Sequence, residues 1–294
     1  MIRKCVTFLL VLAAIFASPA APQQPEHMKL FPPEKIEVPD SGVTIPMLEA
    51  GGRPLVVVYL NGKGPYPFLL DTGAFMVEMN DDLQAELALP AMSNAPSGVA
   101  RLEALRVGEA VLHGLPVISF PRMPGLAGQN SPRGVLGASL FLGCVLTLDY
   151  PAKNVLIRKG ALPSADNHRV FQYDAEDVLP RIPIRIAGHD FRPHLDSGSP
   201  GGVTLPVNSS SDLPLAEKPV QVGLARTPGG EFPVFSANLR EPIHIGEYTL
   251  QTREITFSDI RPGPEPPVGN IGYEILREFV VALDSKNHRL QLTR

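Results

Sequence analysis

Tryptophan is absent from this 294-residue chain, cysteine occurs twice, and Asp, Glu, Lys and Arg together make up 19% of it. So low a charge density argues against an architecture of long, solvent-facing amphipathic helices. Two cysteines exclude a disulfide-stapled scaffold. Cys5 lies in an N-terminal segment read below as cleaved. Cys144 sits among apolar residues and is read as an inert core thiol. A formal net charge of -4 without a basic block excludes nucleic acid as a partner. The leading apolar run, Val6 to Phe16, is too short for a spanning helix, which needs ~20 apolar residues. His113, His168, His189, His244 and His288 show no paired metal spacing and are read as surface residues, so neither metal nor cofactor is expected. Ser139 lacks the second glycine of a nucleophile elbow.

What is abundant is glycine (26) and proline (32), which with a 44% hydrophobic share favours short strands joined by turns. Residues 1–20 read as a signal peptide. Arg3 and Lys4 precede the apolar run, and Ser18-Pro19-Ala20 or Pro19-Ala20-Ala21 offers a cleavage site, with a retained anchor as the alternative. The expectation is an exported protein, periplasmic or secreted, without stable membrane insertion after cleavage. Residues 21–42 read as a linker.

Strand-like runs then alternate with turns. Val43–Leu48, a Gly51-Gly52 turn and Pro54–Leu60 are followed by Asn61-Gly62, a hairpin signal, and by the apolar run Pro67-Phe68-Leu69-Leu70, which ends in Asp71-Thr72-Gly73-Ala74. Asn80 is placed to cap a short helix with Leu83 and Leu87 on one face, stopped by Pro90. Gly134-Val135-Leu136-Gly137 precedes a short helix and a hairpin pivoting at Pro151. After a polar stretch the pattern restarts. A strand around Ile184, a Gly188 turn and Asp196-Ser197-Gly198-Ser199 lead to Gly269-Asn270-Ile271-Gly272. Gly134, Gly137, Leu148 and Asp149 recur at one common offset as Gly269, Gly272, Leu283 and Asp284, so the chain is an internal duplication. Asp149 and Asp284 are read as turn caps.

The doubled Asp-(Thr/Ser)-Gly, each followed by a hydrophobic-hydrophobic-Gly element, resembles the retropepsin-like aspartic peptidases, including exported bacterial aspartyl proteases. The resemblance covers about residues 43 to 294. Asn270 stands where that family prefers an apolar residue. The resemblance implies an all-β fold of two barrel lobes with short helices, related by pseudo-twofold symmetry. The first lobe is expected at residues 43–160, a linker at 161–177 and the second lobe at 178–294. It implies a monomeric aspartic endopeptidase that binds polypeptide as an extended strand. Asp71 and Asp196 would be catalytic, with Thr72, Gly73, Ser197 and Gly198 supporting them. Two carboxylates about 3 Å apart cannot both ionise cheaply, so they share one proton and act as base and acid.

Flaps are expected around Pro96-Ser97-Gly98 and Thr227-Pro228-Gly229-Gly230, without an aromatic residue in the first. His194 falls on the same strand face as Asp196, where the first lobe has Leu69. It either borders the cleft and perturbs the acid pair's pH profile, or it is a polar subsite wall or a surface position. Two further readings stay open. One is a peptide-binding or scaffold protein that kept the fold without turnover. The other is a protein whose lobes each pair with a copy in another chain.

Overall fold

A computed structural model describes residues 8–9, 32–93, 95–96, 98–121, 131–177, 179–227, 230–260 and 266–294. Of these, 49% are in strands and 8% in helical turns, so the fold is all-β. Most of the expected leader, and Ser97, Pro228 and Gly229 of the expected flaps, lie outside the described residues.

The first half closes into a six-stranded barrel. Pro54–Leu60 pairs with Lys63–Asp71 through the Asn61-Gly62 turn, where both residues take positive φ (48° and 79°) as the Asn-Gly signal requires. Lys63–Asp71 runs parallel to Gly134–Gly137, which pairs with Val77–Asn80. Val77–Asn80 runs parallel to Ala110–Phe120, and Ala100–Val107 closes the circuit back to Pro54–Leu60. Phe68, Leu70, Val77, Met79, Leu102 and Leu136 fill the core, each at most 1% exposed. Burying six such side chains stabilises by roughly 1.5–3 kcal/mol each.

The second half repeats the pairing order without closing into one hydrogen-bonded circuit. His194–Leu195 runs parallel to Asn270–Ile271, which pairs with Val203–Leu205, which runs parallel to Glu254–Phe257. A separate small sheet carries the Ile184–Ile186/His189–Phe191 hairpin, turned by Ala187 and Gly188 at positive φ. A long hairpin, Val220–Thr227 with Gly230–Asn238, has the second expected flap at its tip. Its buried Ala225 and Val234 cluster with Ile260. Phe8–Leu9, in the stretch read as a leader, pairs in parallel with Ala225 and Arg226 on this hairpin.

A six-stranded sheet joins the halves. The hairpin Cys144–Asp149/Asn154–Lys159, which turns through Pro151, pairs with Val280–Asp284 of the other half, Leu148 opposite Val281. Two stretches expected as linkers contribute strands: Lys35–Glu37 pairs with Val111–His113, and Val170–Gln172 with Arg289–Gln291. Cys144 is buried, which pushes its thiol up and keeps it protonated. Asp149 accepts from Ala152 N–H (2.9 Å) and Asp284 from Asn287 N–H (3.2 Å), so both cap turns.

The expected helix forms over Asp81–Leu87 with Leu83 and Leu87 buried. The capping expectation for Asn80 is corrected. Its Nδ2 donates to the Pro132 carbonyl (3.2 Å) and its side chain makes no cap bond. Asn80 is 1% exposed, and its bond to the segment before Gly134 draws the amide away from the helix end.

Candidate active site

Asp71 ends the apolar strand Lys63–Asp71, and Asp196 follows His194–Leu195; the two side chains are 1% and 2% exposed. Two buried acids are held together by their neighbours. Thr72 N–H donates to Ser197 Oγ and Ser197 N–H to Thr72 Oγ1, each at 2.9 Å. Thr72 Oγ1–H donates on to the Leu195 carbonyl (2.7 Å), and Ser197 Oγ–H to the Leu70 carbonyl (2.8 Å). Each hydroxyl thus bonds twice to the opposite loop, which locks the two loops about a local twofold axis. The alternative in which each lobe needs a second chain is not required by this geometry.

The glycines set how close the acids come. A Cβ on Gly73 would lie 3.0 Å from Asp196 Oδ1 and 3.2 Å from Asp71 Oδ1. The two oxygens are therefore no further apart than the sum of those distances. A Cβ on Gly198 would collide with the Asp71 carboxyl group. Gly73 N–H (2.7 Å) and Gly198 N–H (3.1 Å) both donate to Asp71 Oδ1. Asp196 takes Ser199 N–H on Oδ1 (2.9 Å) and Asn270 Nδ2 on Oδ2 (2.9 Å).

Both carboxyls are pushed up, first by burial. For Asp71 the neighbouring Asp196 adds to the push, and the shift is large. For Asp196, Asn270, Ser199 and Arg53 pull the other way. The structure therefore brings Asp71, Asp196, Thr72, Gly73, Ser197 and Gly198 into one cluster. Such a pair can hold one proton between two acids and both donate and accept it.

Three neighbours were not read as site residues from the sequence. Arg53, 4% exposed, donates through Nε to the Gly198 carbonyl (2.7 Å) and carries its charge close to both acids. Its only sequence signal is a cation between a Gly-Gly turn and an apolar strand. Glu78 is 2% exposed, and burial pushes its carboxyl up to about 8. It interrupts the otherwise apolar Val77–Met79 and adds to the push on Asp71. Asn270, noted in the sequence only as a departure from pattern, touches Asp196 directly.

A cavity of about 30 Å³ opens beside Asp196, lined by Gly73, His194, Thr204, Ser258, Ile260 and Asn270 among others. It has room for one or two waters. Register explains its polarity. The first lobe's cross-strand row is Leu69, Val135, Glu78, Ile118; the second lobe's is His194, Asn270, Thr204, Thr256. His194 does border this site. Its pH role is corrected, because burial and Arg181 push the ring down to about 3, leaving it neutral where buried acids titrate. It is the polar wall. Among the described residues no group of three His, Cys, Asp or Glu is placed to hold a metal ion.

Residues 56–140 match the family model described as aspartyl protease, which supports the retropepsin-like aspartyl protease family for this chain. The matched span runs from the strand before Asp71 past Val135-Leu136-Gly137, and Asp196 lies outside it. No curated protein matches the chain.

Proposed function

We propose that the protein is an exported aspartic endopeptidase, acting as a monomer in the periplasm or outside the cell, that hydrolyses peptide bonds with water activated by Asp71 and Asp196. The observation that carries this reading is the reciprocal Thr72–Ser197 hydroxyl lock, which ties together the two loops that carry the buried acids.

An extended polypeptide would lie across the junction of the lobes beneath the 220–238 hairpin. The ionised carboxylate takes a proton from the water, whose oxygen attacks the scissile carbonyl carbon. The protonated carboxyl gives its proton to the carbonyl oxygen, forming a neutral gem-diol. Collapse of the diol breaks the C–N bond: the proton held by the first carboxylate passes to the leaving amine, while a diol hydroxyl returns its proton to the second carboxylate as the new carboxyl group forms. Net, one water is consumed and the pair returns to its singly protonated state. Because burial raises both acids, the active window lies above the ordinary carboxylate range.

Incubation of the mature protein with a peptide library between pH 3 and 8 tests this. Cleavage is expected, blocked by pepstatin and reduced at least ~10²- to 10⁴-fold in Asp71→Asn and Asp196→Asn. Peptide binding with no turnover at any pH would instead establish a binding module that kept the fold.

A further inference from the structure

We infer that Asn270 is a positioning residue that makes Asp196 the ionised member of the acid pair and leaves the shared proton on Asp71. Its catalytic meaning rests on the peptidase reading; its physical content rests on geometry alone.

Like carboxyls have unlike surroundings in the two halves. Both backbone donors of Asp71 converge on Oδ1. Asp196 has a donor on each oxygen, and the one on Oδ2 is a side-chain amide at 2.9 Å. An N–H donor pointed at an oxygen favours its charged form and opposes a proton placed there. The duplication supplies an internal control. Asn270 pairs with His194 in the register in which Val135 pairs with Leu69, and Val135 carries no donor.

Asn270 also has a cost that Val135 does not. It is 6% exposed and its Oδ1 has no protein partner. A buried orphan acceptor destabilises a fold. A polar residue at a position that packs well as valine is the kind of local violation expected at a working site. The Gly73 and Gly198 N–H groups favour charge on Asp71, but they share one oxygen and leave Oδ2 open to a proton; the remaining groups around the pair act toward a charged Asp196 or are neutral. Arg53 lies across the interlobe junction and favours a negative Asp196 more than a negative Asp71. Glu78 stays protonated until about pH 8 and is neutral during the lower step; once ionised, it opposes charge on Asp71. His194, on the adjacent strand, is uncharged above about pH 3. Burial keeps the Tyr150 phenol protonated.

The test is a titration of the intact protein carrying ¹³C-carboxyl aspartate, followed by NMR. The two signals are assigned by their loss in Asp71→Asn and Asp196→Asn. In the wild type the lower step of the pair should appear at Asp196. In Asn270→Val that step should rise by about one pH unit, the effect of one hydrogen bond to a charged group. Asn270→Thr, shaped like the valine variant but with a hydroxyl donor, should rise less and guards against a packing defect. Thermal unfolding of each variant confirms the fold. If Asp71 ionises first in the wild type, or if the Asp196 step stays put in a folded Asn270→Val, the inference is overturned. Peptide cleavage on the same samples reads separately: the acid limb should follow the Asp196 step while KM changes less than about threefold. A wild type that cleaves nothing ends the peptidase reading, while the titration still decides the role of Asn270.

Discussion

Replacing Glu78 by glutamine should make the protein less dependent on pH and more stable in mild alkali. The acid sits 2% exposed on the strand beside Val135, its Oε1 has no partner, and burial pushes it up to about 8 from an ordinary 4.5. A folded-state value above the unfolded one means that the folded protein binds the proton more tightly across that interval. The stability this confers is complete below pH 4.5 and is lost as pH rises through 8. At 1.36 kcal/mol per unit the full span is worth about 5 kcal/mol, and relaxation around a newly ionised group should reduce it to roughly 2–4 kcal/mol. Urea unfolding at pH 5, 6, 7, 8 and 9 measures it. Wild type should lose stability steadily over that range. Glu78→Gln should match it within about 1 kcal/mol at pH 5 and exceed it by roughly 2–4 kcal/mol at pH 9. Asp71 and Asp196 slope the same way and are present in both proteins, so the difference reports Glu78 together with its coupling to Asp71. Parallel curves for the two proteins would refute the argument.

Three other outcomes follow from the site. Gly198→Ala puts a methyl group into the Asp71 carboxyl; a folded variant should lose at least ~10²-fold in activity, and wild-type activity would contradict so close an approach of the Gly198 backbone to that acid. Thr72→Ala and Ser197→Ala each orphan a buried N–H and should destabilise by about 1–3 kcal/mol, while the double variant should cost less than the sum because one lock is broken twice. Additive losses in denaturant titrations would mean that the two hydroxyls act independently. His194→Leu should change KM for peptides while leaving both limbs of the pH-rate profile within a few tenths of a unit, since a neutral ring contributes no charge to them. A shifted limb would show that the ring is charged.

Much of the architecture was legible because it is written in local chemistry. Asn61-Gly62 and Gly188 mark hairpins through the φ values they tolerate. Leu83 and Leu87 mark a helix face by spacing, and two Asp-(Thr/Ser)-Gly loops mark a duplicated site through their order. Asn80 misled, because a residue suited to a cap is equally suited to a loop carbonyl, and burial decided between them.

By itself the sequence determined the strand-and-turn pattern and the duplication, since strand alternation and turn residues act over a few positions, and its two Asp-(Thr/Ser)-Gly loops pointed to the two acids that the fold brings together. Tertiary structure alone decided how those acids are held and how unlike they are. Arg53 reaches Gly198 from the other half of the chain. Asn270 reaches Asp196 across adjacent parallel strands. Glu78 meets the field of Asp71 because register sets it in the cross-strand row of Leu69 and Val135. The physical reason is that a proton's preference between two buried carboxyls depends on donors and charges a few ångströms away. Those arrive from residues that no local pattern links to them.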